Sequence, residues 1–199
     1  MLTPSEFERH YLAAVEPTAQ SGCSTGEAGW EIGRRPIASA IHRSGRFLDV
    51  GCANGLLMES VVRWSAHSVE PYGLDFAAGL VELARRRLPQ WAERIFHGDA
   101  LEWEPAEQFD FVRTELVYAP EARRRELAER LLGWVAPGGR LIVCGYGELV
   151  CREVRGWGFE PELELAWRSA SGRVNELAAI EARSGPLRRA QSQAQAQTT

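Results

Sequence analysis

Three carboxylates fall where they could act on one ligand. Asp49 stands two positions before Gly51 in "RFLDVGCANGLLMES", Asp75 ends "EPYGLD" and Asp99 ends "RIFHGD". Gly51 and Gly55 bracket "CAN" where a short apolar run gives way to helical spacing, so the chain turns there with little side-chain bulk, as it does where backbone must approach a ligand. An acid about 20 residues beyond such a turn can meet ribose hydroxyls. Each feature also has a plain reading: the glycines as a tight turn with close helix packing, Asp75 as the cap of a helix beginning near Ala77, Asp99 as a turn residue. Together the acids would form a negative rim over successive strand ends. Such a rim repels the pyrophosphate of a dinucleotide, whose G-x-G-x-x-G fingerprint is also broken by Ala53. It suits a ligand with a positive centre, an amino group, a ribose and an adenine.

The elements that must position these residues alternate from Arg46 onward: "RFLDV" then "LLMESVVRW", "EPYGLD" then "GLVELARRRL", "RIFHGD", "FDFVRTE" then "ARRRELAERLLGWV", and "GRLIVCGY" then "ELVCREVRGW". This alternation predicts βαβ units on a parallel sheet. "EPELELAW" and "NELAAIEAR", joined by "RSASGR", follow with no helix between them and predict an antiparallel hairpin at one edge. The expected fold is therefore α/β, a doubly wound, mostly parallel seven-stranded sheet with a C-terminal hairpin and an N-terminal helical lid. Residues 1–45 are assigned to the lid, 46–185 to the ligand-binding domain and 186–199 to a disordered tail. "TPSE" has capping-box spacing and starts a helix running to about Val15. A second helix is expected from near Glu27, disturbed by Pro36 and ending before Gly45.

A chain of 199 residues, 45% hydrophobic and 25% charged, is read as one globular domain able to bury a core. Its net charge of −4 argues against a nucleic-acid partner. All 23 basic residues are arginine, and the runs at Arg85–Arg87 and Arg123–Arg125 lie beside glutamates, as solvated helix faces do. Four cysteines without a C-x-x-C pair suggest reduced thiols. No run approaches the roughly 20 apolar residues that span a bilayer. A cytoplasmic protein without a membrane partner is expected.

S-adenosylmethionine carries all four groups the acidic rim selects. With the glycine turn, the second-strand acid, "GDA" and "WVAPGGRLIV", the chain resembles the class I S-adenosylmethionine-dependent methyltransferases from about Phe47 to Arg183. The resemblance implies that Asp49 and the backbone of Gly51, Cys52, Ala53, Asn54 and Gly55 face the methionine part of the cofactor. It implies that Asp75 takes the ribose hydroxyls with Phe76 against the adenine, that Asp99 meets the adenine amino group, and that the Ala100 amide meets a ring nitrogen. Thr114 falls on the cofactor side. Ala53 departs from the glycine common there and is tolerable if its φ stays negative.

Methyl transfer needs an acceptor held in line and water excluded. In the family the segment "RTELVYAP" lies beside the methyl group. It lacks the Asp/Asn-Pro-Pro-aromatic motif of amine methylation on bases, and offers Glu115 and Tyr118. Glu115 is the acid–base candidate, or else a cofactor-side hydrogen-bonding or purely structural carboxylate. His10 and Tyr11 share a helix face with Phe7 and Ala14, as catalytic groups of the lid or as packing. Trp30 and Tyr146 are expected to contact the acceptor, which should be a small molecule; its identity and the oligomeric state stay open. No acid cluster after the fourth strand offers a metal site. The alternatives are a non-catalytic S-adenosylmethionine-binding module and a nicotinamide oxidoreductase.

Overall fold

A computed structural model of the chain describes residues 4–147 and 149–183, with side chains from Glu8 onward. The capping-box side chains of Thr3 and Glu6, that of Phe7, and the tail at 186–199 lie outside the described residues. Helix α1 (Pro4–Leu12) and helix α2 (Gly26–Arg34) come first, and Pro36 converts the continuation of α2 into a 3-10 helix, Arg35–Ala40. The alternating series follows as β1 (Gly45–Val50), α3 (Leu56–Trp64), β2 (Val69–Asp75), α4 (Ala78–Arg87), β3 (Ile95–His97), β4 (Phe109–Glu115), α5 (Arg124–Gly133), β5 (Val135–Tyr146) and α6 (Val150–Gly156). The hairpin β6 (Leu163–Arg168) and β7 (Val174–Glu181) closes the chain.

The strands form one sheet in the order β3-β2-β1-β4-β5-β7-β6, parallel from β3 through β5 and antiparallel at β7 and β6. The predicted fold is found, including the hairpin at the edge. Alternation along the strands sends Leu48, Val50 and Val112 to a face covered by Leu127, Leu131, Val150 and Val154, and Phe47, Phe111 and Ile142 to a face covered by Leu57, Val61, Trp30 and Ile37. Strand order reverses between β1 and β4, and a crevice opens there at the carboxyl ends of the strands.

Two expectations are corrected. Residues 1–45 do not pack as one lid. Trp30, Ile37, Ala40 and Ile41 are buried in the same cluster as Phe47 and Leu177, and each larger side chain contributes about 1.5–3 kcal/mol by burial. Residues 26–41 are thus a structural layer of the domain, and only the segment before Gly26 lies outside it. The arginine run on α4 is not merely solvated: Arg85 donates to the Ile95 carbonyl and Arg87 to the Asn54 carbonyl, tying the helix to β3 and to the glycine turn. Arg123 and Arg125 do pair with Glu126 and Glu129 on an exposed face.

Candidate functional site

A cavity of about 250 Å³ fills the crevice. Its floor is the turn after β1, where Gly51, Ala53 and Gly55 take φ of 80°, 48° and 77°. Gly51 has no space for a side chain, because the ring of Tyr118 lies where its Cβ would be. Ala53 is the one non-glycine residue with positive φ among the described residues, so the condition set for it from sequence is not met. The loop keeps the glycine conformation and carries the strain, roughly 1–2 kcal/mol for an L-residue in this region. Ala53→Gly should therefore raise the thermal midpoint by roughly 2–4 °C, the relief being partly offset by the greater entropy of glycine in the unfolded chain. A lower midpoint in a melting scan would show the methyl group to be a stabilising contact.

Asp75 ends β2 and is 5% exposed. One carboxylate oxygen accepts from the Ala53 amide at 2.8 Å and the other from the Ala77 amide at 2.9 Å. It therefore closes the turn that leads from β2 into α4 while fixing the glycine turn, and it also lines the cavity. Burial raises its pKa, and the two amides oppose that rise. Asp99 lines the cavity from the loop after β3, with one oxygen accepting from the Leu101 amide at 2.8 Å. Phe76, Gly98, Ala100 and Leu101 complete that end.

The opposite end is held by a buried ionic chain. Asp49 on β1 and Arg113 on β4 face one another in the sheet register. The Arg113 Nη1 donates to Asp49 at 3.1 Å, and its Nη2 donates to Glu115, two residues along the same strand face. The guanidinium of Arg34, on α2, lies 3.3 Å from Glu115 and donates to the Tyr146 hydroxyl at 2.7 Å. Burial pushes the Asp49 carboxyl up to about 7 against the opposing pull of Arg113. Burial also works to raise Glu115, but Arg113 and Arg34 outweigh it and hold this carboxyl below its ordinary range. A carboxylate clamped between two guanidiniums is a weak base, so the geometry favours the structural alternative for Glu115 over the acid–base one.

The other sequence candidates divide clearly. Tyr11, Trp30, Cys52 and Tyr118 line the cavity, and Trp30 is oriented by a hydrogen bond from its Nε1 to Ser60 at 2.9 Å. Asn54 does not face it. Its side chain is buried and bonds to Ser21, to the Pro17 carbonyl, to Gln20 and to the Leu56 amide, fastening the N-terminal segment to the turn. Gly55 faces Leu88 and Ala84 on the α4 side and serves close packing. Thr114 points to the opposite face of β4 from Arg113 and Glu115 and lies outside the cavity lining. His10 is exposed and lies beside Tyr11, not in the cavity. Tyr146 faces a second, adjoining cavity. Arg113 and Arg34 were not anticipated. The signal for Arg113 was an arginine inside the apolar strand "FDFVRTE", two positions before an acid; nothing local marked Arg34.

Four carboxylates (Asp49, Asp75, Asp99, Glu115) and two guanidiniums (Arg34, Arg113) line the main cavity. The balance favours a cationic ligand. No group of three metal-ligating side chains occurs among the described residues, and no helix among them is long and apolar enough to cross a membrane.

Residues 47–139 match a family described as a methyltransferase domain. Over 99 residues the chain is 33% identical to a trans-aconitate 2-methyltransferase of Rhizobium etli, which covers 49% of this chain and 37% of that protein. Over 133 residues it is 30% identical to the biotin biosynthesis bifunctional protein BioHC of Cellvibrio japonicus, covering 65% and 24% respectively. The chain thus spans well under half the length of these curated relatives. Among solved structures, the N-methyltransferase NodS from Bradyrhizobium japonicum WM9 in complex with S-adenosyl-L-homocysteine superposes with a TM-score of 0.59 at 17% identity, covering 89% of this chain and 96% of that one. The [4+2]-cyclase SpnF superposes with a TM-score of 0.60 at 16% identity, over 75% and 79% of the two chains. Both likenesses concern the fold, and the second pairs it with a different reaction.

Proposed function

We propose that this chain, whose residues 47–139 match a methyltransferase domain and whose fold resembles that of the N-methyltransferase NodS, transfers a methyl group from S-adenosylmethionine to a small-molecule acceptor. The observation that carries this reading is the convergence of Asp49, Asp75 and Asp99 on one net-acidic cavity at the glycine turn. The cofactor supplies a methyl group on a sulfonium, which is displaced in line. The chain's own residues bind, orient and exclude water. Asp75, already fixed by two amides, presents its remaining lone pairs to the ribose hydroxyls. Asp99, Ala100 and Phe76 hold the adenine, and Asp49 holds the amino group. Tyr11 and Trp30 close the acceptor side, and burial keeps the Tyr11 hydroxyl protonated as a hydrogen-bond donor.

Glu115 and Arg113 act as positioning residues in this reading. They hold Asp49 and Arg34 in place and take no proton from the acceptor. The segment before Gly26 forms the cover: Glu8 accepts from the Gly79 amide at 2.5 Å, Asn54 binds residues 17–21, and Tyr11 and Ser21 lie at the cavity.

Calorimetric titration should give 1:1 binding of S-adenosylmethionine and of its demethylated product. Binding of a nicotinamide dinucleotide in their place would favour an oxidoreductase; binding of the sulfur nucleosides without isotopic methyl transfer to any component of a metabolite extract would favour a non-catalytic module. Affinity for S-adenosylmethionine should also depend on pH. Below about pH 7 the Asp49 carboxyl holds a proton, and a cationic ligand favours its charged form. Binding then expels that proton, so affinity rises with pH up to about 7 and levels off above it. Asp49→Asn should flatten this profile; a slope unchanged in that variant would assign the effect to another group.

A further inference from the structure

Beside the main cavity lies a second one, also of about 250 Å³. The two share Trp30 and Arg34 in their linings, so they adjoin. We propose that the second cavity binds the carboxylate of an anionic methyl acceptor, with Asn175, Arg173 and Arg34 as the recognising residues. This rests on the methyl-transfer reading for its role, though the anion site itself stands on the geometry below.

The first support is Asn175. It lies on β7 and is 3% exposed, yet neither its amide nitrogen nor its amide oxygen has a hydrogen-bond partner. A buried unpaired amide costs free energy and calls for an explanation, which a ligand that completes it would supply. Its position has a reason in the strand pattern. Asn175, Leu177 and Ala179 share one face of β7; Leu177 and Ala179 enter the apolar cluster under Trp30 and Ile37, while Asn175 stands where that cluster stops and the cavity begins. In the register it is opposite Tyr146 on one side and Trp167 on the other.

The second support is charge. Arg34 and Arg173 line this cavity, and among the described residues no acidic side chain does. Arg34 is balanced by Glu115 at 3.3 Å. Arg173 makes no ion pair among the described residues and lies over the Tyr146 ring at 5.2 Å. One unbalanced positive charge suits a monoanionic carboxylate better than a phosphate dianion. The hydroxyls of Thr25, Ser169 and Ser171 line the same wall and can accept or donate to the remainder of the acceptor. The adjoining cavities thus differ in sign, acidic where a sulfonium is expected and basic where the acceptor is.

Cys23 also lines this cavity and provides a reporter that does not require the acceptor to be known. The full chain is alkylated with iodoacetate, a carboxylate, and in parallel with neutral iodoacetamide, and modification of Cys23 is followed by peptide mass spectrometry. The ratio of the two rates at Cys23 should exceed that of a reference peptide of the same local sequence by roughly fivefold, the scale of one nearby unit charge. Arg173→Gln, at an exposed position, should return the ratio to the peptide value with the iodoacetamide rate unchanged. Acetate should compete with iodoacetate more effectively than phosphate, and Asn175→Leu should remove that competition. A ratio equal to the peptide's, one unmoved by Arg173→Gln, or stronger competition by phosphate would each overturn the proposal, whether or not the Asn175 variant folds. S-adenosylhomocysteine binding is titrated separately on the same protein; its absence would defeat the methyl-transfer reading and leave the alkylation ratio to decide the anion site.

Discussion

Arg113→Met should lower the free energy of unfolding by about 3–5 kcal/mol, because it leaves two buried carboxylates without their shared counterion. For a domain of this size that is a fall in thermal midpoint of roughly 10 °C or more. Arg113 is buried and donates to both Asp49 and Glu115. The loss should depend on pH in a stated direction. Without this guanidinium the Asp49 carboxyl, already raised by burial, rises further above its unfolded value, and Glu115 is left with Arg34 alone; the folded state of the variant binds more protons than that of the parent, so the deficit grows as pH rises. The variant should therefore lie nearest the parent chain at about pH 5 and furthest from it at about pH 8. Arg113→Met combined with Asp49→Asn should recover part of the difference, because Asp49 has Arg113 as its ion-pair partner. Chemical denaturation across that range measures both effects, and a pH-independent deficit would mean that lost packing, not unpaired charge, is responsible.

Removal of residues 1–24 should reduce methyl transfer at least a hundredfold while leaving affinity for S-adenosylhomocysteine within about tenfold, since loss of alignment and water exclusion costs on that scale. The groups assigned to the nucleoside, Asp75, Asp99 and the glycine turn, all lie downstream. The core also survives, because Trp30, Ile37 and Ile41 remain in their cluster. What is lost is the Tyr11 and Ser21 part of the cavity wall and the bonds from residues 17–21 to Asn54. The acceptor is first identified by isotopic methyl incorporation from a metabolite extract, and the truncated chain is then compared with the full one at saturating cofactor. A folded truncated protein that turns over at the full rate would free the N-terminal segment from any catalytic role.

The two variants probe parts of the site that differ in how far sequence revealed them. The glycine turn and the three strand-end acids were legible because each is fixed by local order: a strand end, the turn after it, the first turn of a helix. The same locality did not reveal where the side chains of Asn54 and Thr114, or the open side of Gly55, point. Motif membership placed them beside the ligand, but side-chain direction is set by what packs against each residue. Asn54 turned to the N-terminal segment, Gly55 to α4, and Thr114 to the far face of its strand. Ala53 shows the reverse case, where the surrounding bonds, including its amide to Asp75, impose a glycine-like φ on a residue that disfavours it.

By itself the sequence determined the order of strands and helices, the antiparallel hairpin, and the acidic rim, since hydrophobic period and turn residues are properties of neighbours along the chain. Only the tertiary structure decided how Asp49, Arg113, Glu115, Arg34 and Tyr146 are joined. Those five residues come from β1, β4, α2 and β5, and their pairing depends on strand register and on α2 packing over the sheet, which no local spacing encodes. It also decided that residues 26–41 are core and not cover, because burial of Trp30 and Ile37 needs the face that β1, β4, β5 and β7 create together.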